Sequence, residues 1–119
     1  MTGVQTCALP ISTPVWQAGP GTDGETYAGL MQCYGPGLQC LSGVAGAADQ
    51  PVAGARWWGH LGEAYGLYGG LWIDPERGRV LVYLITGTAD DPGKAPHTTG
   101  FTGMEEMLLR ELAATPVRR

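Results

Sequence analysis

The sequence predicts an α+β fold, an antiparallel sheet of about three strands with a C-terminal covering helix. Three observations carry that prediction. Two β-rich runs, Leu67–Asp74 and Arg79–Thr86, flank Pro75-Glu-Arg-Gly78, where proline sets up a turn and Gly78 tolerates a positive φ. The elements follow in the order strand, strand, hairpin, helix, and their connections are too short for parallel crossovers. Finally, Thr102 with Glu105 three positions on makes a capping box just ahead of an apolar stripe.

In chain order, residues 12–33 are an irregular connection, rich in Gly, Pro, Thr and Asp at first, with Gly19-Pro20-Gly21 as its strongest breaker. Over residues 34–41 the apolar Tyr34, Leu38 and Cys40 keep one parity, and Gly35 and Gly37 lighten the chain. A first strand with a neighbour close to its backbone is expected there. Residues 43–55 form another Gly/Ala/Pro connection. Arg56-Trp-Trp-Gly-His-Leu-Gly62 is short and bulky, a second strand ending near Gly62. Beyond the hairpin, residues 87–101 read as a surface loop. In the helix, Glu105 and Glu106 suit the positive end of the dipole, and Met104, Leu108 and Leu112 define the stripe. Met104, Met107 and the helix leucines are expected in the core.

Composition bounds the function. At 119 residues the chain has room for one small domain, so a complete two-lobed enzyme does not fit. The net charge is −4, and the seven Lys and Arg residues are scattered, which leaves no basic stripe for nucleic acid. The longest apolar run, residues 80–85, falls far short of the roughly 20 needed to span a bilayer, so no transmembrane segment is expected. With 44% hydrophobic and 15% charged residues, the chain should pack rather than remain disordered.

Residues 1–11, Met1-Thr-Gly-Val-Gln-Thr-Cys-Ala-Leu-Pro-Ile11, match the translated reverse complement of a widely used short-read sequencing adapter, read from a GTG start, with Ser12 following from its leftover base. They lack the basic n-region and apolar h-region of a signal peptide. They are therefore expected to be an artefact that packs against nothing specific, with the natural N-terminus lost upstream. Of the remaining cysteines, Cys33 and Cys40 match neither a redox C-x-x-C pair nor a zinc knuckle. If the chain reverses at Gly35-Pro-Gly37 they face each other, whereas one continuous strand would hold them about 24 Å apart. Two free thiols are expected.

Several residues have a structural explanation as well as a chemical one. His60, taken alone, is a strand histidine satisfying a local hydrogen bond. His97 lies in a polar loop with no cysteine or second histidine at ligand spacing, so no metal and no cofactor is expected. Trp57 and Trp58 read as core and rim aromatics, and Tyr65 and Tyr68 as bend and packing residues, although Tyr65 has the option of lining a groove. Asp74 and Glu76 resemble an acid–base pair, but a proline-containing turn explains them without chemistry.

The larger constellation changes the weight on His60. Trp58-Gly-His-Leu-Gly-Glu-Ala-Tyr-Gly-Leu-Tyr-Gly-Gly-Leu-Trp-Ile-Asp-Pro-Glu76, preceded by Tyr34-Gly-Pro-Gly-Leu-Gln39 and followed by the helix at residues 104–113, resembles the C-terminal part of the class C β-lactamase, D-alanyl-D-alanine carboxypeptidase and esterase family. The resemblance covers residues 34–115 and implies part of a β-lactamase/transpeptidase-like domain. His60-Leu61-Gly62 would be the family's third motif. Gly62 would leave the strand edge open, the main-chain N–H of Glu63 would form half of the oxyanion hole, and His60 would face the groove and assist with charge or hydrogen bonding. Leu61, Gly62 and Tyr65 would contact substrate. The sequence departs from the K-T-G form in having His60 for Lys and Leu61 for the hydroxyl residue, which points to a carboxypeptidase- or esterase-like relative.

Neither Ser12 nor Ser42 has Lys three positions on, and the sequence has no Asn, so the Ser-x-x-Lys and Tyr-x-Asn motifs are missing. The resemblance thus implies an inactive fragment of a penicillin-recognising serine hydrolase. Its parent would act on a small molecule or peptidoglycan-type peptide, outside the cytoplasm. Two other readings stand beside it: a non-catalytic binding relative that keeps the groove, and an unrelated small β-rich module, which His60 pointing into the core would favour.

Overall fold

The computed structural model describes residues 13–19, 29–89 and 99–116. Residues 1–11, Ser12 and His97 lie outside them. Six strands, β1 (Trp16–Gln17), β2 (Cys33–Tyr34), β3 (Gln39–Cys40), β4 (Trp58–Ala64), β5 (Leu67–Asp74) and β6 (Arg79–Thr86), precede one helix, α1 (Gly103–Ala114). The strands form a single antiparallel sheet in which spatial order equals chain order. The fold is α+β as expected, but it has six strands rather than about three.

The extra strands are short and arise where the chain turns sooner than its apolar parity implied. Residues 34–41 are not one strand. Gly35 donates its N–H to Leu38 O at 2.8 Å, reversing the chain so that Cys33 pairs with Cys40 and Tyr34 with Gln39. That reversal also overturns the expected free thiols: the Cα atoms of Cys33 and Cys40 lie 5.2 Å apart and the two residues form a disulfide. Within the stretch read as irregular, Trp16 and Gln17 pair with Tyr34 and Cys33. The second predicted strand lies two residues further along, at Trp58–Ala64. The β5–β6 hairpin has the predicted bounds, and Gly78 takes φ 61° in its turn.

One face of the sheet carries the core. Tyr68 and Trp72 of β5 and Leu81, Tyr83 and Ile85 of β6 are buried with Trp57, Phe101 and Leu109. The capping box forms as the sequence predicts, with Thr102 Oγ1 accepting from the Glu105 amide and the Glu105 carboxylate accepting from the Thr102 amide. The buried stripe is rotated from the predicted one. Glu105, Glu106 and Leu109 face inward, whereas Met104 and Met107 are exposed, and Leu108 and Leu112 are half-buried. The reason is that Glu105 has partners in the interior. Tyr83 donates to it at 2.6 Å and Thr102 at 2.9 Å, which makes its burial tolerable.

The two ends of α1 are fixed differently. Its last turn carries no basic residue of its own. Arg79 of β6 supplies the charge, donating to the carbonyls of Leu112, Ala113 and Thr115 at 3.2, 2.9 and 3.3 Å. The same guanidinium meets the buried Asp74 carboxylate at 3.1 Å.

Candidate functional site

The candidate residues lie along β4 and the turn after it. β4 and β5 are joined by the two-residue loop Tyr65-Gly66, with φ 50° and 85°, the backbone of a tight hairpin turn. Around such a loop the closing pair, Ala64 and Leu67, is hydrogen-bonded, and bonded pairs then alternate: Gly62 with Gly69, His60 with Leu71. Leu61 and Glu63 therefore direct their N–H and C=O groups away from β5, toward the outer edge of β4. β3 pairs with β4 only through Gly59 and Trp58. Among the described residues, no strand covers that edge from His60 to Ala64.

Glycines along the sheet show which positions packing requires. A Cβ on Gly70 would fall 2.6 Å from the Tyr83 ring, and one on Gly59 would run into the Leu71 carbonyl. Gly62 is different. Among the described residues a Cβ there meets nothing within 4 Å, so none of them demands the absence of a side chain.

His60 is exposed and shares a face with Leu71. Its Nε2 lies 3.0 Å from the Gly37 carbonyl oxygen, and its ring centroid is 5.9 Å from that of Tyr34, tilted by 59°. Burial raises the Tyr34 pKa, which keeps that phenol protonated at neutral pH. Glu63 is exposed, and Leu61 is half-buried and packs against the core. Tyr65 is fully exposed in the turn between β4 and β5, at the bend position expected for it.

The other residues singled out from sequence have structural work. Asp74 accepts from the Arg77 amide at 3.2 Å and from the Arg79 and Arg77 guanidiniums, which clamps the β5–β6 turn, while Glu76 is exposed. Burial alone would push the Asp74 carboxyl up, but those amide and guanidinium partners outweigh it and hold its pKa below the ordinary aspartate value. Trp57 is buried and Trp58 half-buried. Ser42 Oγ donates to the buried Asp49 carboxylate at 2.8 Å and accepts the Val44 amide at 3.2 Å, a local turn with no imidazole in it.

The arrangement offers an exposed imidazole, an unobstructed glycine and a main-chain N–H on one strand edge. Sequence reasoning missed Gly37 as the partner of His60. A carbonyl contact across 23 positions leaves no signal in residue type. Among the described residues, no three His, Cys, Asp or Glu side chains come together as a metal-ligating group, and no helix is long and apolar enough to cross a membrane. No family profile, curated protein or solved structure gives a significant match to the chain.

Proposed function

We propose that this chain contributes the third-motif strand of a penicillin-recognising serine hydrolase, whose reaction is acyl transfer through a Ser ester on a D-alanyl peptide, a β-lactam or a small ester. The observation that carries the proposal is the edge of β4 left unpaired among the described residues, where none of them gives Gly62 a packing reason to lack a side chain and the adjacent Glu63 N–H points away from β5. An extended acyl substrate needs such an edge for its own amides, and a developing oxyanion needs such a donor. His60, exposed beside that edge, is placed to assist charge or proton movement. Its exposure also weighs against an unrelated module with His60 in the core. The nucleophile and its Lys belong to a part of the enzyme not contained in this sequence.

The chain alone should neither hydrolyse nitrocefin or p-nitrophenyl esters nor take up labelled penicillin, and stoichiometric labelling at Ser42 would overturn the proposal. Joined to an upstream portion bearing Ser-x-x-Lys, the His60→Ala variant should lose about 10- to 1000-fold in kcat/KM while still folding. Glu63→Ala should change little, because the donor is main-chain. Intact turnover in His60→Ala would remove His60 from the mechanism.

A further inference from the structure

His60 is held by a segment other than its own strand. The carbonyl that meets Nε2 and the ring that flanks the imidazole belong to Gly37 and Tyr34, both inside the hairpin formed by β2 and β3. That hairpin is minimal, with two residue pairs and one turn hydrogen bond, from Gly35 N–H to Leu38 O. A ribbon so short has little stability of its own in water. What closes it covalently is the Cys33–Cys40 disulfide. A carbonyl oxygen only accepts, so the imidazole nitrogen 3.0 Å from Gly37 O must carry the proton.

We propose that the disulfide-closed hairpin of residues 33–40 is the positioning element for His60, fixing the proton on Nε2 and leaving Nδ1 as the acceptor of the neutral ring. If His60 acts in the acyl-transfer site proposed above, Nδ1 is then the atom through which it accepts a proton from the reacting groups. The positioning itself is independent of that activity and is read without substrate, so failure of one leaves the other standing.

Long-range proton–nitrogen correlation spectra of the ¹⁵N-labelled 119-residue chain test it. The neutral His60 ring should be the Nε2–H tautomer. In the Cys33→Ser/Cys40→Ser double variant the Nε2 proton should exchange with water about tenfold faster, the scale of one lost hydrogen bond, while the β5–β6 amides stay protected. The coupling is reciprocal. His60→Ala, which removes an exposed side chain and should not unfold the chain, ought therefore to speed exchange of the Gly35 amide by a similar factor, and it gives the answer if the cysteine variant unfolds. An Nδ1–H tautomer in the wild-type chain overturns the proposal. So does an unchanged Gly35 exchange rate in His60→Ala.

Discussion

The two faces of the β5–β6 hairpin are nearly equal in apolar content and opposite in fate. Toward α1, Tyr68, Trp72, Leu81, Tyr83 and Ile85 are each less than a tenth exposed, while on the reverse face Val80, Val82 and Leu84 are 56%, 65% and 66% exposed. Leu71 and Ile73 lie with them on that open face. Near-continuous apolar runs such as Arg79–Thr86 are the pattern of strands covered on both sides, and among the described residues one side is covered. The lesson is that residue type decides which positions tolerate burial. What buries them is a partner, and α1 reaches only one face.

That contrast sets a ranking of mutational effects. Trp72→Ala removes a side chain with 0% exposure from beneath α1 and should cost about 3–5 kcal/mol in urea unfolding followed by circular dichroism. A loss below about 1 kcal/mol would mean the two faces are energetically alike. Arg79→Ala should come next, at about 2–3 kcal/mol, because it strips the buried Asp74 of its closest guanidinium and the end of α1 of three donated hydrogen bonds. Tyr83→Phe should cost about 1–2 kcal/mol, since Glu105 keeps its Thr102 contacts but loses a buried donor. Val82→Thr on the open face should stay within about 0.5 kcal/mol.

A pH series sharpens the same contrast. The folded state depresses the Asp74 pKa, so its contribution is full above the ordinary aspartate value near 4 and is lost as pH falls through the lower folded value. The stability gap between wild type and Asp74→Asn should therefore be widest near neutrality and close progressively in acid. A gap unchanged between about pH 7 and pH 2 would show that the clamp is not electrostatic.

What could be read from sequence is what neighbouring residues decide. The Pro75–Gly78 turn and the Thr102–Glu105 box are closed by residues at most three positions apart, and both form as expected. The helix stripe was misplaced because hydrophobicity assigns Glu105 to solvent, while a tyrosine 22 residues earlier draws it inward. Gly35-Pro36-Gly37 suits a light strand or a reversal, and the pairing of Cys33 with Cys40 chooses the reversal. Of the candidate site, the strand bearing His60 and Gly62 was legible, two residues out of place, from its short, bulky, glycine-punctuated run. The clamp on His60 was not, because it depends on how two hairpins lie together.

The match between strand order and chain order bears on how fast the molecule assembles. Each strand joins the one made just before it: β4, β5 and β6 are linked by short turns, while residues 18–32 lie between β1 and β2 and residues 41–57 between β3 and β4, so the two longer closures fall at the β1–β3 end of the sheet. Such a meander should fold faster than a sandwich of equal size, with β4, β5 and β6 zipping through their two tight turns first. The helix, whose core partner Phe101 meets Trp72 across 29 residues, would then dock onto a sheet already formed.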